Sequence, residues 1–217
     1  MLNKIKEYFS KENIKAFLKE TIETIIFVTL MVIVIRFFIG EIRWIPSGSM
    51  QPTLTIGDRL FIDRFSRFYS KPKRGDILVF YPPMENIENT PLKLFSRLTG
   101  FFCKDIAYIK RVIGLPGDKV EIKKNKNNEY IVLINDKPLE EDYILSNDDY
   151  VECTDKMYCG PMIVPDNNYF MMGDNRGNSQ DSRFWGFLRE DRIIGKAKFI
   201  FWPIDRIHYL GISKFFE

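Results

Sequence analysis

The run IPSGSMQPTL, residues 45–54, sets a serine between a glycine and a methionine and brackets it with Pro46 and Pro52. Such backbone can be neither regular helix nor central strand. Ser49 is therefore predicted on an exposed, rigidly framed loop, as a nucleophile requires. The chain holds 1 histidine, His208, in no recognisable catalytic context. A base for Ser49 must be sought elsewhere, and a buried, neutral lysine is the main alternative.

The lysine that could serve is Lys110, in AYIKRVIGLPGD. On an alternating strand Tyr108 and Lys110 share one face, while Ile109 and Arg111 share the other. Unless the strand is irregular, one of the two adjacent cations then faces inward. An inward lysine loses hydration, which disfavours the ammonium and lowers its pKa. Arg111 cannot be the base, because its guanidinium stays protonated. Taken alone, this segment fits a simpler picture in which both cations are solvated at a sheet edge.

A third segment, MGDNRGNSQDSRFWG (residues 172–186), concentrates aspartates, arginines and serines. A calcium loop is ruled out, because Arg176 stands where an oxygen ligand is needed. Ion pairs of Asp174 or Asp181 with Arg176 or Arg183 are expected to rigidify a turn and position Ser179. RGD at residues 74–76 reads as a turn before a strand rather than an adhesion signal.

The elements that must hold these residues follow from composition and pattern. The 217 residues, 45% of them hydrophobic, suffice for one domain with an inserted subdomain or an anchor. A net charge of +3 gives no sign of a nucleic-acid partner. Residues 1–20 carry Lys4, Lys6, Lys11, Lys15 and Lys19 and are expected in the cytoplasm. Residues 21–40 are read as an uncleaved transmembrane anchor. Their uncharged stretch runs only from Thr24 to Ile35, but Phe37, Phe38 and Ile39 extend it to about 18–20 residues, with Glu23 and Arg36 able to snorkel at the ends. No small-residue cleavage site follows, which argues against a removable leader.

Residues 41–217 then lie outside the cytoplasm and read as β. RGDILVFYP, KRVIGLPGDKVEI, EYIVLIN, IVPDNNYFMMGDN and KAKFIFWPI are short strands separated by turn signals. That spacing predicts a mainly antiparallel β sandwich or barrel-like body. Residues 84–105 read as an insertion, with weak helical periodicity over 92–102. Cys153 and Cys159 could pair in an oxidising compartment or remain free thiols; Cys103 is left over. Phe61, Phe65, Phe68 and Tyr69 suit either an apolar surface resting on lipid or ordinary core packing.

Together, IPSGSMQPTL, RGDILVF, YIKRVIGLPGD and GDNRGNSQDSRFWG, in this order after an N-terminal anchor, closely resemble the successive boxes of the bacterial type I signal peptidases. These are membrane-bound serine proteases with a Ser-Lys dyad. The resemblance implies Ser49 as nucleophile, Lys110 as general base and Ser179 as the hydroxyl that orients the lysine amine. It implies an oxyanion hole from the Ser49 N–H and the Ser47 hydroxyl, and structural roles for Asp181 and Arg183, to which the ion-pair reading of the turn adds Asp174 and Arg176. It further implies an inserted β subdomain near residues 121–165 and shallow pockets, lined by Ile45, Tyr108 and Ile109, for small side chains at Ala-x-Ala sites. The expected partners are exported precursors with their signal peptides, the bilayer of the bacterial inner membrane and the secretory translocon; no metal or cofactor is implied. Gly177 departs from the many relatives that carry aspartate there, which leaves the dyad intact.

Overall fold

The computed structural model describes residues 11–36, 40–86, 90–99, 105–145, 150, 153–154 and 157–211. Lys4, Lys6, Phe37, Phe38, Ile39, Cys103 and parts of the 84–105 insertion lie outside the described residues. The chain divides into two units, residues 1–39 with 90–103 and residues 40–89 with 104–217.

The first unit contains helix α1 (Lys11–Val34). Among the described residues no helix is long and apolar enough to cross a membrane. The N-terminal part of α1, up to Glu23, explains this, since Lys15, Lys19, Glu20 and Glu23 interrupt the apolar run. Beyond Glu23 the helix is apolar on every side: Ile25, Ile26, Phe27, Leu30 and Val34 are all exposed.

The second unit is mainly antiparallel β, as the turn spacing implied. Its strands are β1 (Glu41–Trp44), β2 (Arg59–Asp63), β3 (Ile77–Phe80), β4 (Tyr108–Gly114), β5 (Lys119–Lys124), β6 (Tyr130–Ile134), β7 (Lys137–Pro138), β8 (Met162–Ile163), β9 (Asn168–Met172), β10 (Leu188–Arg189), β11 (Ile193–Trp202) and β12 (His208–Tyr209). The short helix α2 (Ser66–Tyr69) follows β2 and α4 (Ser182–Trp185) follows β9; α3 (Pro91–Thr99) belongs to the first unit.

The larger sheet runs β1-β2-β11-β3-β4-β9-β10, with β12 added to β11. It is open, with β1 and β10 as edges. β3 sits at its centre, and ILVF is buried at all 4 positions. Ile77 and Val79 join a core with Met50, Leu54, Leu60, Ile62 and Ile194. Leu78 and Phe80 join a second core with Val112, Tyr169 and Met171. Alternate residues of one strand therefore feed two cores, which is why this strand reads as an uninterrupted apolar run.

A smaller sheet, β7-β6-β5-β8, covers a third core with Val120, Val132, Tyr143, Tyr150 and Phe170. Gly117, at φ 86, makes the turn that carries the chain from β4 into this sheet, in a backbone conformation that a side chain disfavours. Cys153 and Cys159 are joined in a disulfide with Cα atoms 6.2 Å apart. The RGD residues are consumed internally: Arg74 pairs with Asp118 at 2.9 Å and Asp76 with Lys196 at 2.7 Å. Phe65, Phe68 and Tyr69 are exposed, while Phe61 stacks on Phe199 at 5.2 Å.

Candidate active site

Ser49 lies on the connection between β1 and β2, and that connection is tied at both ends. Ile45 N–H donates to Asp58 O at 2.9 Å, Gly57 N–H to Ile45 O at 2.9 Å, and Leu54 N–H to Met50 O at 2.9 Å. Met50 and Leu54 are wholly buried and pin the loop into the core. This loop is framed as expected, but Ser49 itself is not exposed. Only 8% of Ser49 is accessible, because the two apolar anchors beside it draw the loop inward.

Lys110 reaches Ser49 from β4. Its Nζ donates to Ser49 Oγ at 2.7 Å and to Ile109 O at 3.0 Å. The lysine is 4% exposed. Burial brings its pKa down from 10.5 to about 8, against the pull of Asp181 and Asp174, with Arg183 adding a small push in the same downward direction. The simpler reading of this strand, with solvated cations, does not hold. Nor is only one cation inward: Lys110 and Arg111 are both buried. Both faces of β4 are packed, with Tyr108 and Val112 entering one core while Ile109 and Ile113 enter others, so neither cation sits on an open face.

Arg111 is compensated where Lys110 is not. Its Nη2 donates to Asp174 Oδ2 at 2.6 Å and its Nε to Asp174 Oδ1 at 2.8 Å. Thr53 Oγ1 donates to the same carboxylate at 2.6 Å. Asp181 and Arg183 pair with each other, Nε to Oδ1 at 2.8 Å and Nη2 to Oδ2 at 2.8 Å, as one of the expected combinations had it. The other arginine of the turn departs from expectation, since Arg176 finds Glu141 on the inserted segment rather than an aspartate of its own turn. Both unforeseen partners are long-range, so the turn is rigidified from outside itself.

The turn also grips the nucleophile loop. Asn175 N–H donates to Ser49 O at 3.1 Å and its side-chain amide to Gly48 O at 3.2 Å. A side chain on Gly173 would collide with Ser49 O and with Ser179 Oγ, so only glycine allows this approach. Ser179 is buried close by, yet its Oγ has no hydrogen-bond partner and does not bond Lys110. Ser47 is exposed, with Oγ 3.5 Å from Ser49 Oγ. Ile45 and Ile109 pack into one core, whereas Tyr108 packs into the other, with its ring 5.6 Å from Lys110 Nζ. His208 sits exposed on β12.

The sequence profile described as signal peptidase, peptidase S26, matches residues 18–202. This chain belongs to that family. It is thus a serine endopeptidase, and the paired Ser49 and Lys110 are the groups whose geometry suits one. Among curated relatives, signal peptidase I of Leptolyngbya laminosa is 41% identical over 89% of this chain and 84% of its own length. A probable signal peptidase I-1 of Synechocystis is 40% identical over 92% of this chain and 90% of its own. A crystal structure of a signal peptidase I from Enterococcus faecalis aligns with 58% of this chain and 97% of that one, at 28% identity and a TM-score of 0.40.

Sequence reasoning missed Thr53, Glu141, Asn175 and the glycine at 173 as parts of this signal peptidase site. Asn175 and Gly173 stood inside a motif already singled out, but nothing in their spacing told which backbone they would meet. Glu141 stands outside every motif and carried no signal.

Proposed function

We propose that this signal peptidase removes N-terminal signal peptides from exported precursors, cleaving after small residues at Ala-x-Ala sites with a Ser49–Lys110 dyad. The observation that carries the reading is the 2.7 Å approach of a buried, pKa-lowered lysine to the serine hydroxyl. With a pKa of about 8, roughly a tenth of Lys110 is neutral at pH 7, enough to populate the reactive form. The neutral amine accepts the Oγ proton as Ser49 attacks the scissile carbonyl. Lys110 then returns a proton to the leaving amine, and water hydrolyses the acyl-enzyme.

The tetrahedral oxyanion needs donors on the nucleophile's own loop. The Ser49 N–H and the Ser47 hydroxyl are suitably close, and such donors contribute a few kcal/mol each when aimed at the developing charge. Ser179, buried beside Gly173, is available to turn toward Lys110 once substrate is bound. Ile45 and Ile109 offer an apolar wall that suits small side chains on the substrate.

Membrane attachment belongs to the same reading. An exposed stretch of helix that is apolar all round needs an apolar surrounding, which the acyl-chain region of a bilayer supplies to residues 24–34 of α1. Phe65, Phe68 and Tyr69, exposed on the second unit, form an apolar patch suited to lipid. Tethering raises the local concentration of a precursor held in that bilayer, next to the translocon that delivers it. The decisive experiment is to incubate the detergent-solubilised chain with a precursor carrying an Ala-x-Ala site and sequence the new N-terminus. A new terminus directly after the second alanine is expected; an uncut precursor, or equal cutting by Lys110→Met, would refute the proposal.

A further inference from the structure

The inserted segment, residues 139–145, reaches back over the site and touches it at successive positions. Glu141 accepts from both terminal nitrogens of Arg176, and the Tyr143 hydroxyl donates to Glu141 Oε1 at 2.7 Å. The Tyr143 ring lies 4.0 Å from the Arg111 guanidinium. Ile144 bridges to Pro52 on the nucleophile loop, and Leu145 N–H donates to Asp174 O at 3.2 Å. We propose that this segment is a strap that positions the dyad, and that Glu141 is its key positioning residue for signal-peptide cleavage.

Force passes through Arg176. That residue is wholly buried, with its side chain 1% exposed. Its Nε donates to Gly173 O at 3.0 Å and its own carbonyl accepts from Arg183 Nη2 at 2.8 Å. Gly173 in turn is pressed against Ser49 O, on the residue whose hydroxyl faces Lys110. Glu141 thus fixes Arg176, Arg176 fixes Gly173, and Gly173 backs the nucleophile. The charges around this chain of contacts balance in pairs: Asp174 with Arg111, Asp181 with Arg183, Glu141 with Arg176. Tyr150 completes the surroundings, its hydroxyl accepting from Arg176 at 3.4 Å and its ring lying 5.0 Å from Arg183. Removing Glu141 leaves a permanently protonated guanidinium buried without its counter-charge, and Arg176 must move to find another.

The inference rests on the Ser49–Lys110 reading, and its test separates the two. Glu141→Gln and the double variant Glu141→Gln/Arg176→Met are assayed as full chains in detergent on an Ala-x-Ala precursor, with Lys110→Met alongside. In the single variant kcat should fall about ten- to a hundred-fold, with KM within about twofold and a lowered thermal midpoint. In the double variant the unpaired charge is gone, so the midpoint should recover while kcat stays low, because the tie to Gly173 O is still missing. A single variant with wild-type kcat, or a double variant whose kcat recovers with its midpoint, would overturn the strap. If Glu141→Gln does not fold, kcat in the double variant decides alone. Residual activity in Lys110→Met faults the dyad instead and leaves the strap's own comparison standing.

Discussion

The lysine on β4 and the polar turn at residues 173–183 bury cations around one site and treat them in opposite ways. In the turn every buried arginine meets a carboxylate, and one of these pairs, Arg183 with Asp181, is closed by two hydrogen bonds. Lys110 meets a hydroxyl and a carbonyl, neither of them charged. The uncompensated cost of burial appears as its lowered pKa. Charge is satisfied where the site is rigid and left unsatisfied at the residue proposed as its base.

Breaking the lysine side of this contrast should have the largest effect. Lys110→Met is expected to abolish cleavage in a precursor-processing assay, and Lys110→Arg to be equally inactive, because a guanidinium cannot accept the serine proton. An active arginine variant would mean that position 110 supplies only charge. Breaking the paired side should instead cost stability. Asp181→Asn strands Arg183 in the core and is expected to destabilise the fold by about 3–5 kcal/mol, read by chemical denaturation.

The pH dependence sharpens the comparison. Cleavage should rise with pH through about 8, as the Lys110 amine becomes neutral. Between that value and 10.5 the unfolded chain holds a proton that the folded chain has lost. The wild type should therefore gain stability as pH rises through this window, by about 3 kcal/mol, while Lys110→Met shows no such gain. Below pH 8 the variant should be the more stable protein. Denaturation curves at pH 7 and pH 10 check both signs.

Smaller effects probe the margins. Ser179→Ala removes a buried hydroxyl without a partner, so its thermal midpoint should hold or rise, while cleavage slows by about tens-fold if that hydroxyl turns to Lys110 during reaction. An unchanged rate would confine Ser179 to packing. His208→Ala should cleave like the wild type in the same assay.

The legible parts of this molecule were those written locally. Ser49 and Lys110 stand in segments whose residue order resembles a known family, and Asp181 lies 2 positions from its partner Arg183. Turns declared themselves through glycine and asparagine, and β3 through its apolar run. The illegible parts depend on topology. Arg111 and Asp174 are 63 residues apart, and Arg176 and Glu141 are 35 apart, so no window of sequence contains either pair. The burial of Ser49 was misread for a related reason: proline and glycine announce a loop, but only the positions of Met50 and Leu54 in the finished core tell which way it points.

The place of β11 in the larger sheet has a consequence for when this protease comes into being. Ser49 rides on the β1–β2 side and Lys110 on the β3–β4 side, and the strand that joins them, residues 193–202, follows both in the chain. Its pairing with β2 spans more than half the chain, and such distant contacts form late because loop closure must precede their reward. Until that strand inserts, nucleophile and base belong to separate half-sheets with no shared hydrogen-bond ladder. With the proposed dyad, the capacity to cut therefore arrives only once β11 has joined the two half-sheets.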